Sequence, residues 1–280
     1  MGHRFQFVDV FSEQPYLGNP LPVFLDADGM STEEMQKITR WMNLSETAFL
    51  LPPTDAKADY RTRIFTLERE LPFAGHPTLG SCHAWLNGGG KANNESEIIQ
   101  ECGAGLVRIR RMDDHLAFAA PGLIRSGPVA DDELDTIATA LQIDRNVIID
   151  SQWADNGPGW VVVLLESAQA VLEIRPLSTF PTPLDIGIVG PYGDNNESAF
   201  ELRAVCSDHH GATREDPITG SLNASVAQWL IASGRATAPY VATQGACVGH
   251  TGRIDIDQDS DGQVWVGGCT RTLIEGEVKI

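Results

Sequence analysis

The sequence predicts an α+β protein of two similar halves, in which short strands form curved sheets that wrap around helices. One observation is a repeated turn: a strand-like run, a polar segment with glycine and an amphipathic run surround Thr78 and again Thr219. The offset of 141 positions (219 − 78) is half of the 280-residue chain. A second observation is that glycines precede alternating apolar residues ahead of Val107 and again ahead of Ile254. Such a repeat indicates two lobes of related structure.

Length and composition agree with two globular lobes. A chain of 280 residues suggests roughly two domains, and 42% hydrophobic residues suffice for a sizeable core. Pro121-Gly122 marks the predicted boundary, which gives an N-terminal lobe over 1–122 and a C-terminal lobe over 123–280. We expect that the last strand of the chain can return to the N-terminal lobe.

The charge balance excludes several kinds of partner. The chain has 38 acidic residues against 20 Lys and Arg, a formal net charge of −18. Nucleic acids and anionic membranes both need clustered positive charge, so we expect neither as a partner. The longest aliphatic run, near Val161 to Leu165, is far too short to span a bilayer.

The five cysteines are scattered, odd in number and without a C-x-x-C pair, which favours reduced thiols in the cytoplasm over a disulfide framework. The N-terminus enters a strand-like alternation at once, without the basic and apolar regions of a secretion signal. We therefore expect a cytoplasmic protein.

Cofactor and metal motifs give no complete set. Cys206, His209 and His210 lie close together, and His76 and His83 share a helix face, but neither group supplies four ligands. The chain has no G-x-G-x-x-G loop after a strand and no G-x-S-x-G elbow. The prediction is an enzyme without metal, dinucleotide or serine nucleophile.

Alternation and turn residues place the elements of the first half. Strands are predicted at Arg4–Phe11, Pro22–Leu25, Arg61–Leu67, Ile98–Glu101, Leu106–Ile109 and Leu116–Ala119. A capping box at Ser31 starts a helix that ends near Asn43 and buries Met35, Ile38 and Trp41 or Met42. A second helix follows the turn around His76, and the Asn87–Lys91 segment ends it as a cap and flexible turn.

The second half has the same kinds of element. Acidic residues from Asp131 start a helix, and a short helix is predicted at Ala168–Ile174 before a proline-rich loop. The main helix follows Asp216 and ends at Gly234. Strands are predicted at Trp160–Leu165, Phe200–Cys206, Tyr240–Gln244, Arg253–Ile256, Val264–Val266 and from Thr272 onward.

Polar residues gather at the starts of the two main helices, in Gly75–Gly80 and in Arg214–Asn223. Backbone N–H groups are unpaired at a helix N-terminus and the dipole is positive there, so such turns bind carboxylates. Two such turns in two lobes suggest one site between them. Simpler interpretations stay open: a hydrogen-bonded turn histidine for His76, a helix cap for Asp216, and first-turn capping for Ser221.

Glu46 is a further candidate, on a connection between Leu44 and the apolar run from Ala48. Partial burial there would raise the pKa of its carboxyl and suit it to proton transfer, whereas a surface turn would leave it an ordinary carboxylate.

The two helix-start turns resemble the paired signatures of the phenazine-biosynthesis PhzF family. These are Gly75-His76-Pro77-Thr78-Leu79-Gly80 and Glu215-Asp216-Pro217-Ile218-Thr219-Gly220-Ser221. The opening is similar too, in Val8–Phe11, then Gly18-Asn19-Pro20, then Leu44–Phe49. The motifs occur in the family's order over nearly the whole chain.

The resemblance implies the fold of diaminopimelate epimerase: two pseudo-symmetric lobes, each a barrel-like, mostly antiparallel sheet around a central helix. It also implies a homodimer and a cofactor-independent isomerase or epimerase that moves a proton on a small carboxylated substrate. Glu46 would be the general acid/base, with His76 and Asp216 as its catalytic partners. The positions implied to contact substrate are Ser45, Gly75, His76, Asp216, Gly220 and Ser221.

The sequence departs from the family pattern in three places, and the departure at Leu222 and Asn223, next to the site, concerns the substrate more than the mechanism. Leu67 stands where the family usually has proline, Leu222-Asn223 follows Ser221 in place of small residues, and Ser207–His210 replaces a more apolar approach. The departures beside Ser221 leave an alternative open, a catalytically inactive member of the same fold that binds a metabolite or a protein. No cysteine lies in the Asp216 turn, which disfavours a two-thiol racemase.

Overall fold

A computed structural model describes residues 2–94, 96–112, 115–180 and 182–279. The chain divides into two compact units. Unit 1 consists of Met1–Ala119 with Trp265–Ile280, and unit 2 of Ala120–Val264. Mixed helices and strands within each unit make this an α+β protein, as predicted.

The described residues of unit 1 form two helices, α1 at Thr32–Met42 and α2 at Gly75–Asn87. Its first eight strands are β1 Gly2–Val10, β2 Asn19–Phe24, β3 Glu46–Leu51, β4 Tyr60–Thr66, β5 Glu70–Leu71, β6 Glu97–Cys102, β7 Gly105–Arg111 and β8 Leu116–Ala119. The chain returns to unit 1 with β17 Val264–Gly268, whose first residue belongs to unit 2, and with β18 Thr270–Lys279.

The strands of unit 1 pair in the order β18-β1-β2-β3-β4-β6-β7-β8-β17, and β5 forms a hairpin with β4. All of these pairings are antiparallel except β2–β3 and β4–β6. Parallel neighbours need a crossover connection, and the two helices supply them: α1 links β2 to β3, and α2 lies between β4 and β6.

Helix α2 is the interior of unit 1. Its residues from Gly75 to Cys82 are all buried, and it contacts strands β1, β2, β3, β4, β6, β8 and β18. A helix of small and apolar residues that is buried on every side belongs inside a sheet that curves around it. An outer core packs α1 against aromatic side chains, in which the Phe24 and Phe49 rings stack 5.0 Å apart.

In unit 2 the structure describes three helices, α3 at Asp131–Leu141, α4 at Ala168–Glu173 and α5 at Gly220–Ala232, with short 3₁₀ turns at Arg145–Val147 and Ala246–Val248. Its strands are β9 Arg125–Gly127, β10 Asp150–Asp155, β11 Trp160–Leu164, β12 Asp185–Pro191, β13 Phe200–Ser207, β14 Thr213–Asp216, β15 Tyr240–Gln244 and β16 Gly252–Gln258.

Unit 2 repeats the connections of unit 1. Its strands pair as β9-β10-β11-β12-β13-β15-β16, with β11–β12 and β13–β15 parallel. Helix α4 links the first parallel pair, and β13 forms a hairpin with β14 before α5 leads to β15. The same succession of strand, hairpin partner, buried helix and parallel strand runs from β4 to β6. The repeat predicted from the Thr78 and Thr219 turns is therefore present in the secondary structure.

Helix α5 is buried as α2 is, from Gly220 to Ala227, and a second apolar core lies between α3, α4 and the strands β11 and β12. Gly190 of β12 packs directly against the start of α4. A Cβ atom there would lie 2.3 Å from the carbonyl oxygen of Ser167, the cap of α4, and 2.8 Å from Val171 Cγ2.

Gly190→Ala is expected to destabilise the protein by about 1–3 kcal/mol, because the methyl group meets rigid backbone. The thermal midpoint should fall by about 2–4 °C per kcal/mol in a domain of this size. The matched control is Gly193→Ala just beyond the same strand, where a Cβ meets nothing within 4 Å. Equal melting temperatures for the two variants would contradict the packing argument.

A buried ion pair joins β13 to β14. The Arg203 guanidinium donates to both carboxylate oxygens of Glu215, at 3.0 and 2.8 Å. It also donates to the carbonyl oxygens of Val171 and Ile174 at the end of α4, at 3.0 and 2.8 Å. The side chains of Arg203 and Glu215 are 4% and 11% exposed. One cation thus fixes α4 to the strand that leads to Asp216.

Several expectations are corrected at the level of single residues. Trp41 is 82% exposed, and Met42 is the residue that packs on the core. Glu46 begins strand β3 instead of lying on a connection, and His76 lies inside the first turn of α2 instead of before it. Asp216 ends a strand, and the helix cap is Thr219.

Six strands of the described part of the chain were not predicted: β3, β5, β9, β10, β12 and β14. Most are short or polar, and β12 carries two glycines and a proline, residues that strands usually lack. Gly190 shows why the pattern misleads, since only glycine fits against the start of α4.

Candidate active site

Glu46 and His76 meet in unit 1. Glu46 opens β3 opposite Thr66 of β4, and His76 is the second residue of α2. Glu46 Oε2 lies 3.5 Å from His76 Nδ1, and their side chains are 14% and 2% exposed. The strand start and the helix start therefore bring together a carboxyl and an imidazole, and the carboxyl is the more exposed partner.

Asn19 is the third side chain of this cluster. Its Nδ2 lies 3.4 Å from His76 Nδ1, and the residue is 1% exposed. The preceding loop holds two non-glycine residues in the left-handed region, Phe11 at φ 69° and Tyr16 at φ 68°. Such backbone strain concentrates at functional sites, where the surrounding structure enforces it. In the sequence, the Gly18-Asn19-Pro20 turn was the signal, but it gave no reason to link Asn19 to His76.

The N-terminus of α2 offers backbone donors beside this cluster. Ala74 occupies the cap position and makes no side-chain cap bond. The first N–H groups of a helix have no partner within the helix, and the positive end of the helix dipole lies there, at Gly75 and His76. Ser45, half-buried, directly precedes Glu46.

The second group of predicted residues lies in unit 2. Asp216 ends β14 opposite Ala204, and Gly220 and Ser221 are the first two residues of α5. The hydroxyl of Thr219, the cap residue, does not bond back to the helix, and it donates instead to Asp216 Oδ2 at 2.5 Å. The N-terminus of α5, like that of α2, thus lacks a side-chain cap.

Gln244, the last residue of β15, ties this turn together. Its Nε2 donates to the Asp216 carbonyl oxygen and to Thr219 Oγ1, each at 3.0 Å. Its Oε1 accepts from the Thr219 N–H at 3.0 Å and from Asn223 Nδ2 at 2.9 Å. Gln244 is 1% exposed, so this amide is a fixed part of the turn.

Ser221 is held from a different direction. Its Oγ accepts from Trp160 Nε1 at 3.1 Å, and its carbonyl oxygen accepts from Asn156 Nδ2 at 2.8 Å. Trp160 begins β11, and Asn156 lies on the loop before it. Neither residue was predicted as part of the site, because no local pattern connects each of them to Ser221, which is 61 and 65 positions away.

The two unusual residues after Ser221 support the fold. Leu222 is fully buried and faces the sheet, where a Cβ on Gly187 would lie 2.3 Å from its Cδ1. Asn223 Nδ2 bonds to the Thr219 carbonyl oxygen and to Gln244. Both side chains are engaged in packing and turn structure, so their size is set by the protein's interior.

The histidine and cysteine side chains considered for metal or thiol chemistry have other surroundings. His83 lies between two hydroxyls, with Nδ1 3.0 Å from Thr270 Oγ1 and Nε2 3.0 Å from Thr272 Oγ1, and burial lowers its pKa. Burial raises the pKa of the Cys82 thiol to about 12 and that of Cys206 well above its usual range. Among the described residues no group of three or more His, Cys, Asp or Glu has the geometry of metal ligands.

The described helices include none with the length and apolar character needed to cross a bilayer.

The structure brings Glu46 and His76 together in one unit, and Asp216, Gly220 and Ser221 in the other. Both His76 and Asp216 are buried, at 2% and 9% exposure, and the helix cap is Thr219 instead of Asp216. That all five contact one substrate stays a prediction.

Comparison with known proteins identifies the family. The family model described as phenazine biosynthesis-like protein matches residues 8–276. A curated relative, antisense-enhancing sequence 1 of Schizosaccharomyces pombe, is 35% identical over 98% of each chain. The trans-2,3-dihydro-3-hydroxyanthranilate isomerase of Pseudomonas aeruginosa is 51% identical over 82 residues, 29% of each chain.

A solved structure shows the same fold. A predicted epimerase from Pseudomonas aeruginosa superposes with a TM-score of 0.76 and 29% identity, covering 99% of each chain. Matches to proteins named as isomerases and epimerases make this chain an isomerase, and it belongs to the PhzF family of phenazine biosynthesis-like proteins.

Proposed function

We propose that this protein moves a proton on a small carboxylated substrate without a cofactor, and that Glu46 is its general acid/base. The observation that carries the proposal is the contact of Glu46 with His76, 3.5 Å apart and largely shielded from water. A proton shift along a conjugated acid needs one group that gives a proton to one carbon and takes it from another. A carboxyl that water reaches poorly can do both without losing the proton to solvent.

The roles of the other residues follow from their chemistry. We assign His76 to orient the Glu46 carboxyl and the substrate; its Nδ1 lies 3.5 Å from Glu46 Oε2 and 3.4 Å from Asn19 Nδ2, so Asn19 borders the same edge of the ring. The uncapped N-terminus of α2 supports binding of a carboxylate and stabilises negative charge that develops on proton removal. We assign Asp216, Gly220 and Ser221 to the same substrate, and the uncapped start of α5 supports that assignment.

The substrate class follows from this arrangement and from a relative's name. Backbone donors at helix starts select a carboxylate, while side chains that donate or accept hydrogen bonds can hold an amino or hydroxyl group. The relative named for trans-2,3-dihydro-3-hydroxyanthranilate isomerisation acts on a cyclic acid with both groups, which makes that compound the first substrate to test.

The test is incorporation of deuterium from D₂O into that substrate and into related cyclic acids, followed by NMR. We expect Glu46→Gln to lower the rate by about 10²-fold or more, the usual contribution of a positioned acid/base. Glu33→Gln, an exposed carboxyl on α1, is the matched control and should exchange as the wild type does. Equal rates for Glu46→Gln and wild type would remove Glu46 from the mechanism.

A further inference from the structure

The Gln244 amide makes the four hydrogen bonds described above, to the Asp216 carbonyl oxygen, the Thr219 hydroxyl and N–H, and Asn223 Nδ2. Its orientation is not ambiguous. If oxygen and nitrogen were exchanged, the NH₂ group would face the Thr219 N–H and the oxygen would face the Asp216 carbonyl, so both contacts would repel.

This orientation determines the direction of the next bond. Gln244 Nε2 can only donate, so Thr219 Oγ1 accepts from it at 3.0 Å. The single proton of the Thr219 hydroxyl is then left for Asp216 Oδ2, 2.5 Å away. The chain of bonds runs one way, from the amide through the hydroxyl to the carboxylate.

We propose that Gln244 is a positioning residue that orients the Asp216 carboxylate through the Thr219 hydroxyl. The inference rests on the proposed function, in which Asp216 contacts the substrate. Gln244 holds Asp216 twice, at its backbone oxygen directly and at its side chain through Thr219. These two attachments fix both the position of the residue and the rotation of its carboxylate.

Burial makes the arrangement depend on these side chains. Gln244, Thr219 and Asn223 are 1%, 6% and 2% exposed, so water has little room to replace a lost partner. Removing Gln244 therefore frees the Thr219 hydroxyl to rotate toward another acceptor, and Asp216 Oδ2 loses this donor. Because any buried substitution also affects stability, the test needs a readout specific to Asp216.

The experiment compares Gln244→Leu, Thr219→Val and Thr219→Ser with Gln228→Leu. The last is the matched control, since Gln228 is a half-buried amide of the same unit that donates to the Pro121 carbonyl oxygen and not to the Asp216 turn. One readout is the ¹³Cγ chemical shift of Asp216 in ¹³C-labelled protein at fixed pH, identified by its loss in Asp216→Asn. The other is kcat and KM with the substrate found by deuterium exchange.

We expect Gln244→Leu and Thr219→Val to shift the Asp216 signal in the same direction and to lower kcat by about 10–100-fold, the effect of a small misplacement. KM should change much less. Thr219→Ser, which keeps the hydroxyl, should recover most of the turnover and restore the signal. Gln228→Leu should leave the signal in place.

Two results would overturn the proposal. One is an Asp216 signal that Thr219→Val leaves unchanged; the other is a kcat loss in Gln244→Leu without a signal shift, which would indicate a general structural role. If the wild type turns over no substrate, the proposed function fails, while the Asp216 signal still decides whether Gln244 and Thr219 orient this carboxylate.

Discussion

Arg203→Met is expected to lower the free energy of unfolding by about 3–5 kcal/mol, because removing one member of a buried ion pair leaves its partner's charge uncompensated. Glu215 would keep a carboxylate that is 11% exposed and has lost both guanidinium bonds. The carbonyl oxygens of Val171 and Ile174 would also lose their donor at the end of α4. Urea unfolding followed by circular dichroism measures the change.

Two further variants separate charge from packing. Arg145→Met is the matched control: Arg145 faces Asp131 at 3.5 Å, but that carboxylate is 99% exposed, and exposed pairs contribute about 0–1 kcal/mol. The double variant Arg203→Met, Glu215→Leu removes both charges and should recover much of the loss, since apolar residues can replace a buried pair at little cost. A loss below about 1 kcal/mol in Arg203→Met would contradict the assignment.

Asp216→Asn and His76→Gln are each expected to lower turnover by about 10²-fold or more while the protein stays folded. Both side chains are buried, which calls for substitutions that disturb the packing little. Asn and Gln largely keep the shape and the hydrogen-bonding capacity of Asp216 and His76, and they remove the carboxylate charge and the imidazole. In Asp216→Asn the new amide oxygen can still accept from the Thr219 hydroxyl, which keeps the turn in place. Steady-state kinetics and thermal melting of the same preparations give both quantities.

Asp194→Asn is the charge-matched control for this prediction. Asp194 is exposed on the loop after β12, so the variant should keep wild-type turnover. Turnover close to that of the wild type in Asp216→Asn or His76→Gln would remove that residue from the site. A large fall in melting temperature would mean that the side chain serves the fold.

Local signals predicted the parts of the fold that are local. Ser31 forms the capping box and Asn43 takes the left-handed cap conformation, so α1 begins and ends where the sequence indicates. The choice between Trp41 and Met42 was not local, since it depends on which strand lies beneath the helix. For the same reason β12 was missed, because its glycines are explained only by Ser167 and Leu222, which pack against them.

The same distinction between local and long-range signals applies to the residues of the candidate site. Glu46, His76 and Asp216 stand in recognisable segments and could be named from the sequence. Gln244 and Asn156 could not, because each reaches the α5 turn from a different strand or loop, 25 and 65 positions away from its partner. Hydrogen-bond partners that meet only after folding leave no periodic trace in the chain.

The pairing of β18 with β1 also sets an order of assembly during synthesis. Gly2 lies opposite Lys279, so β1 is made long before the strand that completes its pairing. All of unit 2, Ala120–Val264, is synthesised in that interval, so its strands can pair with one another before β18 exists. Until then the edge of β1 that later receives β18 exposes unpaired N–H and C=O groups, which is the feature that makes nascent chains aggregate. Of the two units, the one whose synthesis starts earlier is thus the one completed later.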